Sequence, residues 1–274
     1  WRCCPLPRLR QSASICARRN VLGRPERAGL GHMSIWEYAN PKRFMQTSGL
    51  LLPWVTGAAL LSLVAGLTWG FFFTPDADKF GSTVKIIYLH VPAAMMAISA
   101  WMMMLVTSLI WLIRRHHVSA LSAKAAAPIG LTFTLIGLVT GAIWGQPMWG
   151  TWWAWDPRLT SFLILSLFYL GYIALWQAVE DPDTAADLTS VLCIVGSVFA
   201  FLSRYAVLFW NQGLHQGASL SMDAQENVSD VYWFPLLICI AGFVLLFVTL
   251  VLLRTRTEIR ARRLSALLAR ERLA

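Results

Sequence analysis

Charge is scarce in this chain, and acid scarcer than base. Only 14% of the 274 residues are Asp, Glu, Lys or Arg, with 14 acids against 23 bases. Cysteine is sparse as well, and its five positions (Cys3, Cys4, Cys16, Cys193 and Cys239) form no C-x-x-C pair, no C-x-x-C-H haem attachment sequence and no zinc spacing. That excludes a thiol oxidoreductase and a c-type cytochrome, and leaves Cys193 and Cys239 as small packing residues inside apolar runs. There is no G-x-x-x-x-G-K-[ST] phosphate loop, no G-x-S-x-G nucleophile elbow and no H-E-x-x-H zinc helix. The chain is therefore expected to be no enzyme, and any ATP hydrolysis it depends on must come from another chain.

What fills the sequence instead is apolar surface, 57% of all positions. It is arranged in runs long enough to cross a bilayer, so the expected fold is an all-α polytopic membrane protein with six transmembrane helices. The spans fall at Leu50–Phe73, Ile86–Ile113, Ala125–Trp144, Leu159–Val179, Leu188–Trp210 and Val231–Leu253. Pro75, Asp76, Asp78 and Gly81 mark a loop after the first, and Glu180, Asp181, Pro182 and Asp183 an acidic turn after the fourth. Met102–Met104 lie within the second span and read as helix packing.

The net charge of +9 does not imply nucleic acid, because the bases lie between and after the apolar runs, where the positive-inside rule puts them. Lys42 and Arg43, the segment Arg114–Lys124, and the Arg-rich segment 254–274 are all expected to be cytoplasmic, and both ends of the membrane domain with them. Leu264, Leu267 and Leu268 give that last segment a weak amphipathic face. His116 and His117, on the same side, read as solvated. Residues 1–32, with Arg2, Arg8, Arg10, Arg18, Arg19, Arg24 and Arg27 against Glu26 alone, are expected to be a basic leader, non-native or upstream of a natural start at Met33.

One stretch is unlike a lipid-buried helix. Trp149–Thr160 reads Trp-Gly-Thr-Trp-Trp-Ala-Trp-Asp-Pro-Arg-Leu-Thr, preceded by Trp144 and Gly145. An aromatic belt at the membrane interface accounts for any one of Trp144, Trp149, Trp152, Trp153 and Trp155. It does not call for the breakers Gly145, Pro147 and Gly150, nor for Asp156 two residues from Arg158. Those features favour an external Trp-rich loop between the third and fourth helices, presenting aromatic faces to a flat apolar ligand with charged edges.

Alternation of the spans puts three connections on the non-cytoplasmic side. They carry His90 beside Pro92, the Trp run, and His215 between Gly213 and Gly217. Each histidine alone is most simply a hydrogen-bonded interfacial residue. Two neutral imidazoles flanking a Trp platform are instead suited to bind haem iron on opposite ring faces, with Arg158 or Arg204 available for a propionate. Asp156 then orients Arg158 or a Trp N–H. Arg204 is also shallow enough to snorkel to the interface, which needs no ligand.

Trp149-Gly150-x-x-Trp153-x-Trp155-Asp156-x-Arg158-Leu159-Thr160 resembles the signature of the Trp-rich haem-handling membrane proteins. The flanks Tyr88-Leu89-His90-Val91-Pro92 and Leu214-His215-Gln216-Gly217 resemble the haem exporter protein C family of cytochrome c maturation. The likeness extends from about Met33 to the basic tail. It implies that haem b is held at the periplasmic face of a bacterial inner membrane, with His90 and His215 as axial ligands and the Trp-rich loop cradling the ring. The partners it implies are a membrane-anchored haem chaperone that receives the haem, an ABC-type ATPase with its membrane subunits, and a small membrane adaptor. The link Gln212-Gly213 is one residue longer than the family pattern, and Arg204-Tyr205 departs from it. Two other functions remain open on the residues alone, a haem ligase acting on apocytochrome c and a quinone-binding or structural subunit of a respiratory complex.

Overall fold

A computed structural model describes residues 40–78, 81–209 and 230–272. Six helices carry the described chain: α1 (Pro41–Thr68), α2 (Ile87–Arg114), α3 (His117–Trp149), α4 (Pro157–Ala178), α5 (Pro182–Phe209) and α6 (Asp230–Glu271). Each contains a segment long and apolar enough to cross a membrane, and no strand occurs among the described residues. The expected all-α, six-helix architecture is what the described residues form. In hydrocarbon a helix is favoured because it satisfies its own backbone donors and acceptors.

Local chemistry sets the helix ends. Asn40 caps α1 by accepting the Lys42 N–H at 3.0 Å, with Pro41 at the first helical position where a missing N–H costs nothing. The α2–α3 link is only Arg115 and His116. Arg115 turns left-handed at φ 52° and donates its N–H to Trp111 O at 2.8 Å. Its guanidinium bonds the Asp187 carboxylate, which also accepts Trp111 Nε1–H at 2.9 Å. His116 then starts α3, its Nδ1 accepting the Ser119 N–H at 3.0 Å. The sequence reading of His116 as merely solvated is therefore corrected: this ring is a half-buried helix cap.

Four helices overrun their expected bounds by several residues, and α1 does so by starting at Pro41, nine residues before Leu50. α3 starts eight residues earlier than the apolar run and takes in Lys124, which pairs with Glu258 of α6 at 2.8 Å. α5 starts at Pro182, so the second half of the acidic turn, Pro182 and Asp183, is helical. α6 continues without a break past Leu253 to Glu271, about 60 Å in all. The Arg-rich segment thus begins as part of the last span, and Arg256 ties it to α1 by donating to Met45 O at 2.6 Å and Ser48 Oγ at 2.8 Å.

α2 is central, packed against α3, α5 and α6, whereas α1 reaches the bundle chiefly through α6. Lipid is as apolar as leucine, so close packing and buried hydrogen bonds must hold such helices together. Tyr169 of α4 is fully buried and donates its hydroxyl to Ala97 O of α2 at 2.7 Å. Trp101 lies edge-on to it at 4.6 Å and donates Nε1–H toward Cys193 O of α5. Between α1 and α6 the backbones nearly touch: a Cβ on Gly66 would stand 2.8 Å from Cys239 Sγ and 2.9 Å from Cys239 N.

Cross-links at the two ends sort the connections. Tyr232 of α6 bonds Pro75 O after α1, and Gly70 lies against the Tyr88 ring at the start of α2. At the opposite end, Asp187 and Asp183 of α5 bind Arg115 and Arg262. The α1–α2 and α3–α4 connections therefore share one end of the bundle, and the Arg-rich segments lie at the other.

Gly66→Val should lower the melting temperature of the detergent-solubilised protein, at a cost of about 1–3 kcal/mol, because the clash is with backbone. Gly57→Ala, where a Cβ meets nothing within 4 Å, should be neutral or mildly stabilising. Equal losses in both would show that the α1–α6 approach is not tight.

Burial holds His116 below the ordinary value of 6.5, and the neighbouring His117 acts in the same direction. The neutral ring is the capping form, so its stabilisation is complete above about 6.5 and is lost as the pH falls through the depressed folded value. Melts between pH 7.5 and 5.0 should show this acid loss, and His116→Asn, which caps without titrating, should flatten it.

Candidate functional site

His90 lies three residues into α2, two residues before the helix loses a backbone donor at Pro92. Its ring reaches across to α3, where Nδ1 stands 3.0 Å from Thr140 Oγ1. The neighbouring Gly141 leaves room for the ring edge against α3, since a Cβ there would come within 3.1 Å of His90 Cε1. Thr140 has no distinguishing mark in the sequence. Its only signal is spacing, four residues before Trp144 and so on the same helical face, one turn or about 6 Å below it.

The Trp run begins on this helix. Trp144 and Trp149 both belong to α3, which passes through Gly145 and Pro147 and stops only at Gly150. Gly150 adopts φ 72° and donates its N–H to Gln146 O at 2.9 Å, a left-handed stop that a side chain would strain. This corrects the longer loop read from Gly145 and Pro147. A proline in the last turn costs only the one bond to the residue four back, and Gly145 is used for packing, since a Cβ there would stand 3.1 Å from the Trp149 ring.

The loop proper is thus Gly150–Asp156. Its indoles are not one flat stack but edge-to-face pairs: Trp144 with Trp149 at 6.3 Å and 62°, and Trp153 with Trp155 at 5.6 Å and 78°. Trp152 and Trp155 are exposed, at 62% and 76%, while Trp153 is half-buried. The Thr151 hydroxyl donates to Trp153 O at 2.9 Å and pins the loop's turn.

Asp156 is buried, and its Oδ1 accepts the Leu159 N–H at 2.7 Å, with Pro157 at the first position of α4. It is the N-cap of α4, a role the sequence reading did not assign to it. Arg158, in the first turn of that helix, feels the charges of both Arg204 and Asp156. Arg204 is exposed, its guanidinium 5.5 Å from the Tyr205 ring. Arg158 Nε and Trp153 Nε1 are both buried with no acceptor among the described residues. Two guanidiniums near each other and two buried N–H groups lacking acceptors suit a ligand with an anionic edge. His215 and the Gln212-Gly213 link lie outside the described residues.

Fold and site together define a polytopic helical membrane protein with a histidine, a Trp-rich loop and two arginines at one end of its bundle. Residues 34–270 match the family described as "Heme exporter protein C". The relative of that name from Rhodobacter capsulatus is 75% identical over 242 residues, covering 88% of this chain and all of the relative. That from Paracoccus denitrificans is 73% identical with the same coverage, and that from Escherichia coli K12 is 42% identical over 226 residues, 82% of this chain and 91% of the relative. The chain belongs to the haem exporter protein C family.

Asp156→Ala should remove the α4 cap and cost about 1 kcal/mol of stability, whereas Asp156→Asn, whose amide oxygen can still accept the Leu159 N–H, should keep most of it. Thermal melts of the two variants separate the cap from the charge. A loss shared by both would assign the effect to the carboxylate charge instead.

Proposed function

We propose that this protein binds haem b and hands it on during c-type cytochrome maturation, without making or breaking a bond in it. What supports this reading is that His90, the Trp-rich loop and Arg158, within reach of the Arg204 charge, lie at one end of the bundle in a chain of the haem exporter protein C family. Haem is a flat apolar disc with two carboxylates on one edge and an iron that takes imidazole on its axis. The residues fit each part. His90 supplies one axial nitrogen and His215 the other. Trp144, Trp149, Trp152, Trp153 and Trp155 cover the macrocycle, with Gly150 ending α3 so that the loop can turn over it. Arg158 meets a propionate through a charge-assisted bond, and Asp156 holds the first turn of α4 that carries Arg158.

The exposed Trp152 and Trp155 are the part of the loop a receiving protein can touch, and we assign them to contact with a membrane-anchored haem chaperone. The energy for release comes from an ABC-type ATPase with its membrane subunits, and a small membrane adaptor completes the assembly. The Arg-rich end faces the cytoplasm of a bacterial cell, by the positive-inside rule, which puts both ends of the membrane domain inside and the haem corner on the periplasmic side of the inner membrane.

Protein purified from cells making haem should show a low-spin Soret spectrum. His90→Ala and His215→Ala should each lose most of the bound haem or its transfer to the chaperone. A full-strength spectrum and unchanged transfer in both variants would sink the axial assignment. No Soret band in the wild-type protein would favour a quinone or structural role.

A further inference from the structure

The contact between His90 and Thr140 does more than anchor a ring. A threonine hydroxyl has one proton, and Thr140 Oγ1 stands 2.6 Å from Ile136 O. A carbonyl cannot donate, so at that separation the hydroxyl proton lies between Oγ1 and Ile136 O. Were the proton turned toward His90 instead, two oxygens would face each other at 2.6 Å with nothing between them. The hydroxyl's remaining capacity is as an acceptor, and the atom 3.0 Å away is His90 Nδ1. A neutral imidazole must therefore carry its proton on Nδ1, which leaves the lone pair on Nε2.

We infer that Thr140 is a positioning residue for haem ligation, holding His90 in the Nδ1–H tautomer through a relay that ends on the Ile136 carbonyl. This rests on the reading of His90 as an axial ligand. Two further features fit it. The relay runs from α2 to the backbone of α3, so the ring is referenced to a helix rather than to a loop. Gly141 beside it leaves the ring edge 3.1 Å from where a Cβ would stand, so the ring can approach α3 closely enough to reach Thr140. A hydrogen bond from the distal N–H also makes an imidazole a more basic ligand, favouring the ferric over the ferrous state of a bound iron.

The test uses the full-length protein with Thr140→Val, which keeps the shape and removes the acceptor, and Thr140→Ser, which restores it. In haem-free protein labelled with 15N-histidine, the His90 signals, assigned by their absence in His90→Ala, should report Nδ1–H in the wild type and in Thr140→Ser. Thr140→Val should move toward the Nε2–H form that imidazole favours in water. With haem, Thr140→Val should retain it about 10-fold more weakly, with a midpoint potential shifted to more positive values, and Thr140→Ser should recover both. An unchanged tautomer in Thr140→Val overturns the inference. So does a changed tautomer with unchanged haem retention and potential, provided that His90→Ala loses haem. If His90→Ala keeps its haem and spectrum, the axial reading itself fails and the positioning role fails with it.

Discussion

Two long helices joined by a link of only two residues have little choice but to lie antiparallel and side by side, and everything at the far end of α2 and α3 follows from that seam. The link is made rigid by the left-handed Arg115, by the Asp187 carboxylate that takes both its guanidinium and the Trp111 indole, and by the His116 cap. Roughly 40 Å away, at 1.5 Å per residue, the same seam brings His90 against Thr140 and Gly141. A shift of one helix along the other would separate that pair, so a contact at one end of the bundle depends on chemistry at the other. The buried Tyr169 hydroxyl on Ala97 O adds α4 to the same frame.

α4 matters because it carries the charge of the site. Its N-terminus is favourable to anions through its exposed N–H groups, and Asp156 occupies part of that capacity as a cap. Arg158 in the first turn, with Arg204 from α5 near it, makes the surroundings net cationic. The indoles complete a corner that is apolar over its faces and positive at its edge. Their edge-to-face pairing leaves the ring planes at an angle to one another, so a flat ligand would be walled from more than one direction instead of lying on a single stack.

Much of this was legible beforehand. Six apolar runs are six helices, because length and hydropathy alone decide what can span lipid. Trp144–Arg158 stood out because five indoles, two glycines and an Asp/Arg pair of opposite charge serve no purpose in hydrocarbon. The helix ends were misjudged where hydropathy and backbone geometry diverge. α3 ignores Gly145 and Pro147 because a glycine in a packed helix saves space and a terminal proline loses one bond, while Gly150 stops it by its positive φ. α6 runs past its last apolar residue because Arg256 and Glu258 have partners on α1 and α3 that a linear pattern cannot show.

The sequence by itself determined the class of protein, the number of spans, and the residue types able to hold a flat anionic ligand, since these depend on composition and on periodicity along one chain. It also brought His90 and the Trp run to one end, since alternation of spans requires it. Only the tertiary structure decided that His90 rests on Thr140 and Gly141, that Asp156 caps α4, that His116 caps α3, and that Arg158 and Arg204 feel each other's charge. Each is a relation of distance and direction, between helices or between a side chain and a helix end. A hydroxyl in an apolar helix reads the same whether it faces its own backbone or an imidazole 50 residues away, and packing alone distinguishes the two.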